Sequence, residues 1–180
     1  MKLLLHICCG PCAAFPVQEI RNRGISLTGY FFNHNIHPFQ EYRQRIDAVW
    51  KFAELVDLEI VFRDEYRLDE FLASVAAAPD RRCSYCYASR LEAAAEYASK
   101  EGFTAFSSTL LYSRYQNHDE IKKLGKGLAE RFNIEFYYED FRQGWQEGIQ
   151  LSKQMGLYRQ QYCGCIYSER DRYLTDERRF

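Results

Sequence analysis

The chain carries seven cysteines among 180 residues. They fall into three groups: Cys8, Cys9 and Cys12; Cys83 and Cys86; Cys163 and Cys165. None stands alone. Thiols used as small core hydrophobes scatter along strands and helices, so this grouping points to metal ligation or redox chemistry instead. Two adjacent cysteines cannot both face a core from a regular strand, because alternate side chains point to opposite faces. They can both meet one object if the strand ends there and the backbone turns. Gly10 and Pro11 supply that turn, since glycine permits unusual φ and proline loses no hydrogen bond at a first helical position. Cys8, Cys9 and Cys12 are therefore expected at the carboxyl end of the first strand and the start of the first helix. Ligands bind at that place in open α/β sheets, and the helix N–H groups there stabilise thiolates and an anionic thiolate-bound cluster.

Cys83-Ser84-Tyr85-Cys86 is a CxxC at the start of a helix. Brought up to the Cys8–Cys9 pair by the fold, it makes a set of four thiolates. That set satisfies a closed structural zinc and equally a [4Fe–4S] cluster. Spacing does not separate the two. Adjacent cysteines are awkward ligands for one tetrahedral ion but reach different irons of a wider cluster, which weighs towards iron–sulfur. Cys163-Gly164-Cys165 is a CxC whose disulfide would close a small strained ring, the labile, redox-active kind. It reads either as a redox dithiol or as a pair of metal ligands.

Other polar residues have plainer uses. His6 reads as a satisfied interior histidine, whereas His34 and His37 stand in a loop at the sheet's carboxyl edge and suit either a site or a turn. Asp80 and Asp140 suit a metal or a proton donor, but loop aspartates more often cap helices. Arg81 and Arg82 beside Cys83, and Arg159 near Cys163, are candidates for phosphate contacts.

The elements that must position these groups alternate. Strands are expected over 2–9, 26–32, 58–62, 104–111 and 134–138. Helices are expected over 12–23, 39–56, 68–77, 84–100, 117–132 and 146–155, with several closed by Gly24, Gly102 or Gly156. The charged tail after Cys165 reads as helical. Alternation of this kind means a mostly parallel sheet with right-handed crossovers. The fold class is α/β, with residues 1–180 forming one domain.

Composition sets the surroundings. Hydrophobic residues make up 47% and aromatics 16%, so the chain is globular and rich in stacking surfaces. The net charge is −1, so any nucleic-acid site is a local basic patch. No apolar run approaches a membrane span, and the first residues lead into a strand rather than a signal peptide. A cytoplasmic protein is expected, in a reducing compartment where structural disulfides are rare.

The constellation resembles the QueH-type epoxyqueuosine reductases. It does so through Leu5-His6-Ile7-Cys8-Cys9-Gly10-Pro11-Cys12, Phe31-Phe32-Asn33-His34-Asn35-Ile36-His37-Pro38, Arg82-Cys83-Ser84-Tyr85-Cys86-Tyr87 and Tyr158-Arg159-Gln160-Gln161-Tyr162-Cys163-Gly164-Cys165. The match covers nearly the whole chain in order, and its departures remove no cysteine. The resemblance implies a Rossmann-like three-layer fold similar to the adenine nucleotide α-hydrolases. It implies reduction of the epoxide of epoxyqueuosine at the wobble position of tRNA, the last step of queuosine synthesis, with electrons from an unidentified donor. It implies that Cys8, Cys9, Cys83 and Cys86 hold a [4Fe–4S] cluster and that Cys163 and Cys165 are the redox-active pair. Seven cysteines exceed four, so an additional iron remains open, with Cys12, Cys163, Cys165 or an aspartate as its ligands. The base must leave the anticodon stack, gripped by aromatic side chains. Tyr85, Tyr87, Tyr112, Tyr158 and Tyr162 are available, and Arg81, Arg82, Arg90 and Arg159 are expected to form the phosphate patch. Two rivals stand beside this: a metal-free thiol–disulfide oxidoreductase, and a zinc-stapled RNA-binding module.

Overall fold

Leu3, Leu4 and Leu5 form the centre of β1 (Lys2–His6), the middle strand of a five-stranded sheet in the order β3-β2-β1-β4-β5. A computed structural model describes residues 1–177, and side chains through 174. All four pairings are parallel: β1 with β2 (Ser26–Phe31) and with β4 (Ala105–Ser108), β2 with β3 (Ile60–Phe62), and β4 with β5 (Glu135–Phe136). The strand order reverses at β1, where a second strand, β4, pairs on the side away from β2. Ligands bind beyond the carboxyl ends of strands at such a switch point.

A continuous apolar run suits a strand covered on both faces. Leu3, Leu5 and Ile7 join one core with α1 (Gly10–Asn22) and α2 (Phe39–Val56), through Ala13, Val17, Ile46 and Phe52. Leu4 joins Tyr30, Phe32 and Phe106 in a second core, under Ala94, Ala95 and Ala98 of α4 (Arg82–Lys100). Short alanine side chains let that helix lie close to the sheet. The remaining helices are α3 (Leu68–Val75), α5 (His118–Phe132), α6 (Trp145–Gln154) and α7 (Ile166–Glu177). The helical tail expected after Cys165 is α7, and residues 178–180 lie outside the described residues. Gly24, Gly102 and Gly156 have φ of 71°, 69° and 60°, the left-handed conformation that ends helices.

Three boundaries differ from expectation. β1 ends at His6 rather than Cys9, which frees both Cys8 and Cys9 from the alternation of a strand. Gly10 already belongs to α1, and it is not among the positive-φ glycines. Its requirement is closeness: a Cβ there would stand 2.8 Å from the Ala48 carbonyl oxygen of α2. β4 ends at Ser108, and Thr109–Tyr112 turn as a 3-10 helix. Ser108 caps that turn by accepting from the Leu110 N–H at 3.1 Å.

Candidate functional site

Cys9 is the residue before α1, held in an extended conformation with no side-chain capping bond, and Pro11 occupies the first turn. This leaves its sulfur directed elsewhere. The sulfurs of Cys8, Cys9 and Cys12 all lie within 4.8 Å of one another, and Cys8 and Cys9 are 3.9 Å apart. A Zn–S bond of about 2.3 Å places tetrahedral thiolates about 3.8 Å apart, so the triad stands near the spacing of ligands to one ion. Thr109, in the turn after β4, locks the first cysteine. Its hydroxyl accepts from the Cys8 N–H at 3.0 Å and donates to the Cys8 sulfur at 3.2 Å. The Gln160 amide donates to the Cys9 sulfur at 3.1 Å. Hydrogen bonds from Cys12 and Cys9 hold the Cys8 thiol well below the ordinary range, while bonds to Cys8 and Cys9 push Cys12 up.

The triad opens into a cavity of about 610 Å³, lined by Cys8, Cys12, Arg90, Tyr115, Trp145, Gln160 and Cys163 among others. A smaller cavity of about 130 Å³ adjoins it and is lined by Cys83, Cys86, Cys163 and Cys165. Tyr115, Gln116, Cys163 and Ser168 border both. All seven thiols therefore gather at the carboxyl edge of the sheet. Cys8, Cys9 and Cys12 stand on one side of that gathering. Cys83 and Cys86, from the start of α4, stand with the CxC on the other. All seven are free thiols, and this soft donor set suits iron–sulfur or zinc ligation. Burial raises the Cys83 thiol and pushes Cys86 up to about 12, with the Arg90 guanidinium opposing in both.

The CxC loop is clamped by groups far away in sequence. Arg45 of α2 is 2% exposed and donates to the Cys163 carbonyl at 2.7 Å and the Tyr162 carbonyl at 2.9 Å. Glu41, one turn earlier, pairs with Arg45 at 2.7 Å and accepts from the Tyr158 hydroxyl at 2.5 Å. His37 donates its N–H to the Gly164 carbonyl at 2.8 Å, and its own carbonyl accepts from the Tyr162 hydroxyl at 2.7 Å. The Gln116 amide donates to the Cys163 sulfur at 3.3 Å, itself held by Tyr87 at 2.8 Å. A Cβ on Gly164 would crowd Arg45 and Asn35 at 3.3 Å, so the glycine makes room for the clamp. Arg45→Met should leave the loop untied at two carbonyls. Loosening reacting groups by about 1 Å costs about a hundredfold in rate. We expect a loss of that order in turnover, together with faster alkylation of Cys163. An unchanged alkylation rate would mean that the clamp does not hold this loop.

The other candidates divide. His6 bonds to Ser108 and to the Phe32 carbonyl, and burial lowers its pKa to about 4, so it is a neutral interior histidine as expected. His34 packs on Phe32 and bonds Ser89, and His37 packs against Phe71; burial holds both neutral. Asp140 caps the turn Phe141–Gly144 and is engaged by Arg142 at 2.6 Å. Asp80 lies exposed in the turn Pro79–Arg81. Arg90 does not belong to a phosphate patch: it is 3% exposed and bonded to the Cys86 sulfur. Arg82 is tied to Asp171 at 2.6 Å, and Arg159 lines the large cavity. Tyr87 and Tyr112 are buried and serve the core and its polar ties. Tyr115, by contrast, is 84% exposed and stands edge-on to Trp145 at 5.7 Å. The Arg114 guanidinium lies over the same indole. The sequence signal for this group was present in the tripeptide Arg114-Tyr115-Gln116, an arginine and an aromatic in a loop after a strand. By residue pattern the clamp pair Glu41 and Arg45 reads as a solvated helix face, because i, i+4 pairs on helices are usually solvated; the stretch Glu41-Tyr42-Arg43-Gln44-Arg45 belongs to the family resemblance.

A parallel sheet with thiols at its switch point, opening on two adjoining cavities, defines an α/β protein with a metal-competent cysteine site. The chain belongs to the epoxyqueuosine reductase QueH family, whose pattern matches residues 3–171. Relatives named epoxyqueuosine reductase QueH include one from Dehalococcoides mccartyi, 37% identical over 96% of this chain and 94% of its own length. Another, from Thermotoga maritima, is 36% identical over 92% of this chain and 89% of its own length. A third, from Haemophilus influenzae, is 39% identical over 94% of this chain and 72% of its own. Among solved structures, a predicted subunit of tRNA methyltransferase from Methanocaldococcus jannaschii shares the fold. Its TM-score is 0.54, at 14% identity over 84% of this chain and 76% of that one. Among the described residues no helix is long and apolar enough to cross a membrane.

Proposed function

We propose that this protein reduces the epoxide of epoxyqueuosine in the anticodon of tRNA to the alkene of queuosine, in the cytoplasm. The observation that carries this is the convergence of all three cysteine groups on one pair of joined cavities at the sheet's switch point. Cys8, Cys9, Cys83 and Cys86 would hold a [4Fe–4S] cluster, and the grouping of Cys12 with Cys8 and Cys9 makes Cys12 the candidate ligand for an additional iron. When bound, such a group supplies single electrons and, at an open iron, Lewis acidity.

The chain's own residues do the rest. Epoxide to alkene consumes two electrons and two protons and releases water. Oxidation of the Cys163–Cys165 dithiol to a disulfide provides two electrons and two protons, so the two half-reactions balance. An external reductant then restores the dithiol. The Arg45, Glu41 and His37 clamp fixes the dithiol loop at the mouth of the 610 Å³ cavity, which has the size for a base turned out of its stack. The test is anaerobic turnover of tRNA carrying epoxyqueuosine, with iron and sulfide counted on the same sample. Absence of queuosine from a fully loaded, reduced protein would overturn the reading.

The RNA next to the turned-out base needs a surface. Tyr115 and Trp145 of the cavity lining form one, with Arg114 over the indole, where a neighbouring base can stack. Tyr115→Ala is expected to weaken tRNA binding by about 5- to 100-fold, while Tyr115→Phe retains it. Arg114→Gln and Arg159→Gln should each reduce the salt slope of binding by about one. Affinity titrations across salt concentrations check both. Unchanged affinity in Tyr115→Ala would place the RNA on another face.

A further inference from the structure

Arg90 sits on α4, one turn after Cys86, and is 3% exposed. Its Nε donates to the Cys86 carbonyl at 3.0 Å, one terminal nitrogen donates to the Cys86 sulfur at 2.9 Å, and the other to Asn33 Oδ1 at 3.3 Å. Asn33 is itself buried and tied to the Ile7 carbonyl at 2.8 Å, so that face of the guanidinium is fixed by neutral groups. Among the described residues, no carboxylate pairs with Arg90. The contrast with Arg45 is direct, because that equally buried arginine has Glu41 at 2.7 Å. An interior guanidinium without a countercharge is among the most costly arrangements in a fold. Arg90 also lines the large cavity beside Cys8 and Cys163. It therefore bonds a sulfur of the CxxC and lines the same cavity as Cys8 of the first cysteine group. A phosphate from RNA is a poor answer, because only 3% of the side chain is open to solvent.

We propose that Arg90 is the built-in countercharge of a thiolate-bound metal group held between Cys86 and Cys8, and that it positions the Cys86 sulfur for that group. This rests on the cluster assignment given above. Four thiolates bring more negative charge than the metal offsets, and hydrogen bonds to ligand sulfurs and nearby charge set the potential of such a centre. One residue here supplies both. Arg90 touches a ligand and not the substrate, so it is a positioning and charge-balancing residue.

An arginine kept only for its structural hydrogen bonds contributes alike with and without metal. A countercharge does not, and the two cases differ in sign. The test compares wild type, Arg90→Met and Arg90→Lys, each metal-free and each reconstituted anaerobically with iron and sulfide. Metal-free Arg90→Met is expected to melt at or above the wild-type temperature, since an uncompensated buried charge has been replaced by an apolar chain of similar length. Loaded Arg90→Met is expected to melt below loaded wild type and to lose iron to a chelator at least about tenfold faster. Its midpoint potential should move to more negative values, because a positive charge beside a reducible centre favours the electron. Arg90→Lys keeps the charge and should restore most of the iron retention. Equal destabilisation of both forms, or iron release at the wild-type rate, would overturn the proposal. If Arg90→Met fails to fold, Arg90→Gln replaces it: Lys retaining iron where Gln loses it supports the assignment, and equal loss in both overturns it. Wild-type protein that takes up neither iron nor sulfide would sink the cluster assignment and this one together. A wild type that loads, beside an Arg90→Met that behaves identically, would sink only this one.

Discussion

Cys163→Ala and Cys165→Ala are each expected to stop turnover, by about a thousandfold or more, while leaving bound iron and sulfide at wild-type levels. Removing one member of a unit that reacts together costs nearly as much as removing all of it. The two sulfurs flank Gly164 and differ in setting. Cys163 is exposed at the wall shared by the two cavities, and Cys165 is buried beside Ser168. An exposed thiol that meets the substrate and a buried one that resolves the reaction is the arrangement a relay needs. Gln116 donates to the Cys163 sulfur at 3.3 Å and fixes its position at that wall. The strain of a CxC ring makes its disulfide easy to reduce again. If the pair instead bound a second iron, the same changes would lower the iron count while sulfide and the visible spectrum persisted. Single-turnover assays on pre-reduced protein, with iron counted for each variant, separate these outcomes. Normal turnover in the double variant would discard both roles.

How much of this the sequence disclosed depends on range. The strands and helices were legible because their signals are local: the Leu3–Leu5 run, the alanines of α4, and glycines at helix ends with φ near 60–70°. The end of β1 was not, since Ile7, Cys8 and Cys9 are apolar enough to continue a strand. The Ile7 N–H still bonds the Tyr30 carbonyl at 2.8 Å, and the chain then turns so that Gly10 lies against Ala48 on α2. Grouping of the thiols was legible from type and spacing. Which groups neighbour which was not, because it depends on where the loop after α6 returns. That loop is placed by Arg45, Glu41 and His37, over 100 residues earlier in the chain. Arg90 shows the same limit from the other side. By sequence it is one more arginine near a cysteine, fit for a phosphate; only its burial against Cys86 removes it from the surface. Tyr115 is the converse, by sequence one of 14 tyrosines, and singled out by its exposure.

The second large effect concerns the metal group itself. Cys83→Ser and Cys86→Ser are each expected to abolish the brown colour and most of the bound iron and sulfide, whereas Cys12→Ser should retain sulfide and lose at most part of the iron. The triad of Cys8, Cys9 and Cys12 has sulfurs within 4.8 Å and offers a site for one ion without help from α4. If a single zinc or iron in that triad were all the protein held, changes at Cys83 and Cys86 would leave it in place, and Cys12→Ser would remove it. A [4Fe–4S] cluster reverses this order, since it draws two ligands from the start of α4. The setting of that second pair bears on any metal it takes. Burial raises both Cys83 and Cys86, with Arg82 and Arg90 opposing at Cys83 and Arg90 at Cys86. Metal binding must therefore expel their protons, and it does so beside a cation already in place. Serine keeps the size of the side chain but gives iron a hard oxygen in place of a soft thiolate, which such clusters hold poorly. Iron, sulfide and zinc assays with visible spectra on anaerobically purified variants read the result. Full iron and sulfide in Cys86→Ser, with normal turnover, would show that the α4 pair does not ligate. Stoichiometric zinc in an active wild type would replace the cluster altogether.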